Sequence, residues 1–296
     1  MRFSNSRRLW LALACSPFLL GSIYPATANA RVHHHRVHAV SANSDEPNLR
    51  SSSALVLDET HNSVLYARHA DVAMPIASIT KLMTALVVAD AHQPLDEVIE
   101  VTAEDRSIGK GAYSRLPIGA HLTRGDLIHL ALMSSENRAA HALGRSYPGG
   151  LAAFVPAMNA KARELGMTNA HFADPTGLSS DNVASPEDLS KLTLAASEDA
   201  TIREYSTDSG YAVRVGRHML QFRNTNSLVS NPGWNIIVQK TGYTLEAGKC
   251  LVMRAVIEDR TVLIVLLNSV GKYTRVADAR RIRKWMETRP VTSGHA

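Results

Sequence analysis

Hydrophobic positions early in the chain follow first a strand pattern and then a helix pattern. Apolar runs at 54–57 and 64–67 flank the polar segment 59–62, which predicts a β-hairpin beginning near Ser52. Further on, apolar residues recur at helical spacing, at Ile79, Leu82, Met83, Leu86 and Val87. This spacing predicts a core helix with one apolar stripe that runs to about His92.

Helical signals dominate the middle of the chain. Two capping boxes precede apolar segments: Thr123 with Asp126 ahead of 127–133, and Ser185 with Asp188 ahead of 189–196. In the second box a proline occupies the first helical position, where its missing N–H costs nothing. A mainly helical central region is therefore expected.

The strand pattern returns after Pro232. Apolar segments lie at 235–240, 250–257 and 261–268. Because the strands at the two ends of the chain must share one sheet for the central helices to pack on, we predict an α+β fold. It would contain an antiparallel sheet of about five strands flanked by helices.

A final helix is predicted from Tyr273 to about Glu287. One face of it carries four basic residues: Arg280, Arg281, Arg283 and Lys284. A solvated helix face explains such a stripe better than a nucleic-acid surface does. No nucleic-acid partner is expected.

The first 30 residues have the pattern of a secretory signal peptide. They contain three arginines and no acidic residue, an apolar stretch from Leu9 to about Ile23, and small residues at the end. The stretch is interrupted and short for a transmembrane anchor, and too little of it precedes Cys15 for a lipoprotein signal. We therefore expect export without a stable membrane anchor, which is compatible with a bacterial periplasm.

Removal of residues 1–30 changes what the composition implies. The full chain has 296 residues, 45% hydrophobic and 20% charged, with a formal charge of +5. That composition excludes a disordered chain, and its 2 Cys exclude a disulfide-stapled miniprotein or a multi-cysteine metal array. The signal peptide takes three of 32 basic residues and none of 27 acidic ones, which leaves +2. It also takes Cys15, so Cys250 has no partner within the chain.

Residues 31–50 form a polar leader. It contains four closely spaced histidines, His33, His34, His35 and His38. Such a tract can bind Zn or Ni, but no Cys or acidic residue nearby completes a site, and a flexible leader is favoured. The main domain is predicted over 51–290, followed by a tail at 291–296.

A Ser-x-x-Lys motif occurs at three places, beginning at Ser78, Ser107 and Ser269. Only Ser78 stands at the start of a predicted helix, so that Lys81 lies one turn further and shares its face. A helix N-terminus also offers free N–H groups and a positive dipole to a developing anion. The other two copies are followed by glycine in predicted loops, where nothing fixes the spacing.

A Ser-x-Asn motif also has several copies. Ser135 and Asn137 lie between a helix predicted to end near Met133 and an Ala-rich helical segment at 138–143. A tight junction between helices can point both side chains into a cleft. The copy at Ser180 lies in a predicted loop, so Ser135 is preferred.

The motif Lys240-Thr241-Gly242 occurs once, at the end of a predicted strand. There Gly242 would let the backbone of a ligand approach closely, and Lys240 would bring a cation to the cleft. Taken alone, the motif is equally explained by an edge-strand lysine without function.

In chain order, the three motifs stand at a helix start, an interhelical turn and a strand. With this combination the sequence resembles the serine penicillin-recognising enzymes. It is most similar to the low-molecular-mass D-alanyl-D-alanine peptidases, and among these to D,D-endopeptidases of the penicillin-binding protein 7 type. The resemblance spans about residues 50–288 and includes MPIASITKLMTA, LMSSENRAAHAL, LGMTNAHFADPTGL, WNIIVQKTGYT and AGKCLVMR. It implies a β-lactamase/transpeptidase-like fold.

The resemblance also implies catalytic roles. Ser78 would be the nucleophile and Lys81 its base, provided that burial and the second cation Lys240 lower the pKa of Lys81. Ser135 would relay a proton to the leaving amine, and Asn137 would hold the substrate peptide. Lys240 would set the local potential.

Further residues would bind the substrate. The backbone N–H groups of Ser78 and Tyr243 would form the oxyanion hole. Thr241 and Thr244 would hydrogen-bond a substrate carboxylate. Arg275 matches a family arginine near that carboxylate, although an ordinary helix-end cation explains it equally well.

The implied substrates are peptidoglycan stem peptides, cut at the D-Ala to meso-diaminopimelate cross-bridge. β-Lactams would acylate Ser78 because their strained amide mimics the substrate. The resemblance implies no metal and no organic cofactor.

Three other functions are alternatives to a D,D-endopeptidase. A D,D-carboxypeptidase is the nearest, but those enzymes commonly add a C-terminal β-domain and an anchor, for which little sequence follows Glu287. A class A β-lactamase needs a Glu in an E-x-x-L-N sequence, and the Leu-Asn pair at Leu267 has Ile264 in that place. A non-catalytic wall-binding module would be favoured by a missing motif residue, and none is missing.

Overall fold

The computed structural model describes residues 46–106 and 113–288. The strands are β1 (Ser51–Asp58), β2 (Ser63–Arg68), β3 (Met74–Pro75), β4 (Val98–Glu100), β5 (His121–Thr123), β6 (Val183–Ala184), β7 (Gly210–Val215), β8 (His218–Arg223), β9 (Asn235–Thr244), β10 (Gly248–Ile257) and β11 (Arg260–Ser269). The α-helices are α1 (Thr80–Asp90), α2 (Arg124–Met133), α3 (Asn137–Arg145), α4 (Gly150–Glu164), α5 (Pro186–Glu198), α6 (Ala200–Thr207) and α7 (Thr274–Glu287).

Five strands form one antiparallel sheet in the order β2-β1-β11-β10-β9. β1 therefore pairs with a strand from the far end of the chain, with Leu55 opposite Val265. This sheet confirms the predicted α+β fold, in which the N-terminal hairpin and the three C-terminal strands share one sheet. β9 lies at its edge, so half of the backbone polar groups of β9 face away from the sheet.

Both faces of the sheet are buried. In β11, alternate residues beginning at Leu263 pack with the central helices, and those beginning at Val262 pack with α7 through Ala279 and Ile282. Successive side chains of a strand point to opposite faces. Burial on both faces explains why this strand is almost continuously apolar.

The helix α1 is a core helix as predicted, and it is buried on all sides rather than along its apolar stripe alone. Every residue from Thr80 to Val88 is buried, because α1 contacts each of α2 to α6. The helix ends at Asp90, before the predicted His92, which adopts a left-handed φ of 48°. Polar residues on such a helix must find partners inside the protein.

Both predicted capping boxes are present. Thr123 accepts a hydrogen bond from the Asp126 N–H at the start of α2, and Ser185 accepts one from the Asp188 N–H at the start of α5. In each box the acidic side chain accepts a bond back from the N–H of the cap residue. These local signals were read correctly because they depend on neighbouring residues alone.

Several elements were not predicted. The helices α4 and α6 and the hairpin of β7 and β8 lie before Pro232, where mainly helices were expected. α4 contains Pro156, which weakens a helical pattern. The β7–β8 hairpin is anchored by tertiary contacts, since the Tyr211 hydroxyl donates to Asp126 (2.6 Å) and Phe222 is buried.

The packed domain begins slightly before the predicted boundary at residue 51. Pro47 and Leu49 are buried, and the Ser51 N–H donates to Asp278 of α7 (2.7 Å). Residues 46–50 thus belong to the domain rather than to a flexible leader. The rest of the predicted leader, the predicted signal peptide and the predicted tail at 291–296 lie outside the described residues.

The other two Ser-x-x-Lys motifs begin at Ser269 and Ser107. Ser269 is not in a loop as predicted: it is the buried last residue of β11, and its hydroxyl lies 2.7 Å from that of Ser51. Ser107 lies outside the described residues.

Two further observations apply to the part of the chain that the structure describes. No helix there is long and apolar enough to cross a membrane, and no three His, Cys, Asp or Glu side chains are grouped to hold a metal ion. Cys250 is free and buried, and burial raises the pKa of its thiol to about 11.

Candidate active site

Ser78 lies in a 3-10 turn, Ala77–Ile79, directly before α1. The chain reaches this turn through Ala77 at a left-handed φ of 48°, a costly conformation for a residue with a Cβ. The hydroxyl of Thr80 donates to the Ala77 carbonyl (2.8 Å) and helps to hold the turn. Ser78 was predicted at the start of the helix; α1 begins two residues later, at Thr80, and Ser78 lies in the turn that leads into it.

The amine of Lys81 joins three parts of the chain. Nζ donates to Ser78 Oγ (2.8 Å), Asn137 Oδ1 (2.8 Å) and the Thr176 carbonyl (2.6 Å). Lys81 is fully buried, and these acceptors saturate the donors of an ammonium group. A neutral amine would free one lone pair to accept the Ser78 proton.

Burial lowers the pKa of Lys81 to about 7, although the charges of Asp174 and Glu136 act in the opposite direction. Desolvation dominates because the ammonium form is fully removed from water. A substantial fraction of Lys81 is therefore neutral near pH 7. A base with a pKa near the working pH can both accept and return a proton.

Asp174 holds the loop that brings the Thr176 carbonyl to Lys81. Its carboxylate accepts hydrogen bonds from the N–H groups of Thr176 (2.6 Å), Gly177 (2.8 Å) and Ser179 (2.9 Å), and from Asn182 Nδ2 (2.6 Å). These bonds lower the pKa of Asp174 against the effect of its burial. No role was predicted for Asp174 or Thr176, and the available signal was the turn sequence Asp-Pro-Thr-Gly.

The competing Ser-x-Asn copy belongs to this supporting loop. Asn182 is fully buried, and its Oδ1 accepts from the Ala173 N–H (3.1 Å). Its own N–H donates to the carbonyl of Ser179 (3.3 Å). Asn182 therefore orders the loop, whereas Asn137 contacts Lys81 directly.

Ser135 occupies the junction between α2 and α3. It adopts a left-handed φ of 63°, and it is partly exposed. The turn is fixed by the bond from the Glu136 N–H to the Leu130 carbonyl (3.1 Å). Because α3 begins at Asn137, the junction places Ser135 two residues from a direct partner of Lys81.

Lys240 lies within β9 rather than at its end, since the strand continues to Thr244. Its side chain is fully buried, and Nζ donates to the Thr241 carbonyl (3.0 Å). Burial, and then the charges of Lys81 and Arg275, lower the pKa of Lys240 well below its usual value. Lys240 was expected to lower the pKa of Lys81; instead, burial lowers the pKa of Lys81, and the charge of Lys81 acts on the pKa of Lys240.

Gly242 lies directly against the serine turn. A Cβ at this position would be 2.7 Å from the Ile76 carbonyl oxygen and 3.2 Å from the Ser78 nitrogen. Next to it, the Thr241 hydroxyl lies 2.6 Å from the hydroxyl of Thr225. The absent side chain lets β9 approach the nucleophile.

Arg275 connects α7 to the strands of the site. Nη1 donates to the carbonyls of Gly242 (2.7 Å) and Cys250 (3.4 Å). Burial lowers the pKa of Arg275, so the side chain is not a solvated helix-end cation. On β9, Thr244 Oγ1 accepts from Ala247 N (3.1 Å), and Tyr243 is about half exposed beneath the amine of Lys249.

The structure therefore brings most of the predicted site together. Ser78, Lys81 and Asn137 form one hydrogen-bonded group, and β9 packs on the serine turn. Among the described residues, no hydrogen bond joins Ser135 to Lys81 or Lys240. Thr244 and Tyr243 occupy the end of the same strand.

The structure combines a five-stranded antiparallel sheet with a serine and a buried lysine that are hydrogen-bonded to each other at the start of a central helix. This combination defines the class of penicillin-recognising serine enzymes. The sequence pattern of the D-alanyl-D-alanine carboxypeptidase family matches residues 39–271. The chain belongs to this family of serine D-alanyl-D-alanine peptidases.

Individual relatives agree with this assignment. The D-alanyl-D-alanine endopeptidase of Pseudomonas aeruginosa is 49% identical over 247 residues, 83% of this chain and 80% of that protein. The D-alanyl-D-alanine endopeptidase of Escherichia coli is 47% identical over 255 residues, 86% and 82% respectively. The crystal structure of a Streptomyces DD-transpeptidase superposes with a TM-score of 0.75 at 28% identity, covering 82% of this chain and 99% of that chain. These similarities confirm the predicted fold and family resemblance.

Proposed function

We propose that the chain is a periplasmic peptidoglycan D,D-endopeptidase that hydrolyses D-Ala to meso-diaminopimelate cross-bridges through an acyl-enzyme on Ser78. The observation that carries the proposal is the 2.8 Å bond between Lys81 Nζ and Ser78 Oγ, made by a buried amine whose pKa is about 7. Endopeptidase activity is favoured because the relatives of that name are 47% and 49% identical, whereas a Streptomyces carboxypeptidase is 29% identical.

Acylation begins with neutral Lys81. Its amine takes the hydroxyl proton of Ser78 while Oγ attacks the carbonyl carbon of the D-Ala residue. As the C–N bond of the tetrahedral intermediate breaks, the proton passes from Lys81 through the hydroxyl of Ser135 to the departing amine. The products of this step are an ester on Ser78, a free amine and a neutral Lys81.

Deacylation repeats the sequence with water. Lys81 takes a proton from a water molecule while the oxygen of that water attacks the ester carbon. Lys81 then gives the proton to Ser78 Oγ when the C–O bond of the ester breaks. The peptide leaves with a C-terminal D-Ala carboxylate. Asn137 would hold the acyl chain through its amide, whose oxygen already accepts from Lys81.

The substrate oxyanion would be bound by the backbone N–H groups of Ser78 and Tyr243. The contact of Gly242 with the Ser78 turn supports this pairing, because it brings the two backbone segments within reach of one oxygen atom. The carboxylate next to the scissile bond would be held by the hydroxyls of Thr241 and Thr244.

Arg275 would act on the carboxylate-binding strand. Its bond to the Gly242 carbonyl fixes the backbone that carries Thr241 and Thr244. The positive charge of its guanidinium group favours an anion at this end of the cleft. β-Lactams would enter the same site and acylate Ser78, because their strained amide carries a similarly placed carboxylate.

The mature chain should be labelled covalently by a fluorescent penicillin. Ser78→Ala should abolish labelling, whereas Ser269→Ala, which changes a buried serine of a competing motif, should retain it. Persistent labelling of Ser78→Ala would refute the assigned nucleophile.

A separate assay distinguishes the two peptidase activities. Mass spectrometry of purified muropeptides should show monomers released from cross-linked dimers. Loss of terminal D-Ala from pentapeptides without cleavage of dimers would identify a carboxypeptidase instead.

A further inference from the structure

A groove of about 300 Å³ opens beside Ser135, and the acyl-transfer steps above do not use it. Its walls include Tyr113, Arg115 and Glu136 on one side and Gln221, Phe222 and Arg223 of β8 on the other. The groove therefore lies between the Ser135 junction and the β7–β8 hairpin. It is continuous with the site because Ser135 itself forms part of its lining.

Arg115 stacks on an aromatic ring in this groove. Its guanidinium carbon lies 4.5 Å from the centroid of the Phe222 ring, which is itself buried. Stacking on an aromatic face restricts the guanidinium plane and leaves its N–H edges free. A planar edge of this kind suits a carboxylate, which can accept two parallel hydrogen bonds.

The two groove arginines lack acidic partners. In the ranges 46–106 and 113–288, neither Arg115 nor Arg223 forms an ion pair. The carboxylate that lines the groove, Glu136, accepts hydrogen bonds from the Arg115 backbone N–H (2.9 Å) and from the hydroxyl of Ser114. Both of its oxygens are thus engaged by these donors, and the two guanidinium groups remain available to an anionic ligand.

We propose that this groove binds the departing stem peptide of a cross-link, with Arg115 and Arg223 paired to its carboxylates. The inference rests on the proposed function, in which Ser135 delivers the proton to the leaving amine. A group that departs at Ser135 must extend into the space beside it. The groove is therefore a specificity determinant for cross-linked substrates.

The chemistry of the two leaving groups explains this selectivity. A carboxypeptidase releases D-Ala, whose side chain ends at a methyl group next to the scissile bond. An endopeptidase releases diaminopimelate, whose methylene chain continues into a second stem peptide with further carboxylates. The exposed ring of Tyr113 offers a surface to the methylenes, and the arginines offer charge to the carboxylates.

Only the longer leaving group can use these contacts. Binding energy from a remote part of a substrate raises the reaction rate when it is expressed in the transition state. The groove thus favours cleavage of cross-links over removal of terminal D-Ala without changing the acylating residues.

The proposal is tested by the double variant Arg115→Gln with Arg223→Gln. We expect kcat/KM for cross-linked muropeptide dimers to fall about tenfold or more, because charge-assisted hydrogen bonds are lost. The rate of acylation by a small penicillin, which has no departing stem, should change less than about twofold. Arg217→Gln, at the exposed turn of the same hairpin, is the matched control and should cleave dimers at the wild-type rate.

A change in the substrate tests the same contacts between the arginines and the carboxylates. Dimers in which the carboxylates of the departing stem are amidated should be cleaved about tenfold more slowly by the wild type. The double variant should show no preference between the two dimers, because it lacks the groups that distinguish them.

The outcomes separate this inference from the proposed function. Dimer cleavage that is unchanged in the double variant, or that falls in parallel with penicillin acylation, would overturn the groove assignment. A wild-type protein that takes the penicillin label but never cleaves dimers would refute the endopeptidase function itself.

Discussion

Gly242 and Ile76 are in backbone contact, and a Cβ at Gly242 would lie only 2.7 Å from the Ile76 carbonyl oxygen. Ile76 immediately precedes the turn that carries Ser78, so the contact joins the edge strand β9 to the nucleophile. Atoms of real side chains do not approach a carbonyl this closely. The spacing between Ser78 and the motif Lys240 to Gly242 therefore depends on the missing side chain.

Gly242→Ala should separate β9 from the serine turn by a few tenths of an ångström. Since small displacements of reacting groups reduce rates strongly, acylation by a fluorescent penicillin should slow by about 10²-fold. Thermal unfolding should show a smaller loss of stability, about 1–3 kcal/mol from overpacking. The matched control is Gly125→Ala in α2, where a Cβ would meet no atom closer than 3.4 Å. Normal acylation by Gly242→Ala would show that the contact does not control the site.

The pKa of Lys81 predicts a pH dependence of acylation. Burial lowers this pKa to about 7, and only the neutral amine accepts the Ser78 proton. The acylation rate should therefore fall about tenfold per pH unit below 7 and level off above it. Stopped-flow measurements with a chromogenic penicillin between about pH 5 and pH 8 would give the inflection. A profile without an inflection in this range would argue against Lys81 as the base.

The same pKa predicts how stability depends on pH. Lys81 has a pKa near 10.5 when exposed and about 7 when folded, so between these values the unfolded chain binds more protons. The contribution of Lys81 to the free energy of unfolding should therefore rise with pH from about 7 to about 10.5. Lys81→Met cannot titrate and should lose this part of the pH dependence. Urea unfolding curves of both proteins would measure the difference, and identical slopes would contradict the assigned pKa.

The main sheet could be predicted from sequence because its signals are local and repeated. The apolar runs that became β1, β10 and β11 alternate or continue over whole strands, and the capping boxes at Thr123 and Ser185 mark helix starts. The hairpin of β7 and β8 also alternates, with apolar residues at Tyr211, Val213, Val215, Leu220 and Phe222, but each strand is short and this signal was missed. The hairpin is ordered by distant contacts, such as Tyr211 with Asp126, which no short window of sequence contains.

The site residues that belong to sequence motifs could be predicted. Lys81 and Asn137 are 56 positions apart in the chain, and the family resemblance assigns both to one site, where they are in contact at 2.8 Å. The Thr176 carbonyl was missed because a backbone oxygen has no sequence signature. The polar partners of the buried α1, such as Thr84 with the Pro175 carbonyl, were missed because a single apolar stripe was expected.

Asp174→Ala should loosen the loop that presents the Thr176 carbonyl to Lys81. Its carboxylate accepts from Thr176, Gly177 and Ser179, so the variant leaves several N–H groups unpaired. We expect a loss of about 2–4 kcal/mol in the free energy of unfolding and a reduced acylation rate. Because the Asp174 charge raises the pKa of Lys81, the inflection of the acylation profile should also move to lower pH.

The control for this variant is Asp181→Ala, which removes an exposed carboxylate of the same loop. It should change neither the unfolding free energy nor the inflection. An Asp174→Ala protein with wild-type stability would contradict the supporting role. A destabilised protein with an unchanged inflection would show that Asp174 stabilises the fold but does not affect the pKa of Lys81.

Ser135 combines a costly backbone conformation with a proposed proton relay, and two substitutions separate these properties. Its φ of 63° favours glycine, so Ser135→Gly should be more stable than Ser135→Ala by about 1 kcal/mol. Both variants lack the hydroxyl and should cleave muropeptide dimers about 10²-fold more slowly than the wild type. Thermal unfolding and dimer cleavage measure the two effects independently. Equal stability of the two variants would remove the strain argument, and wild-type cleavage by either would remove the relay, because neither can pass a proton to the leaving amine.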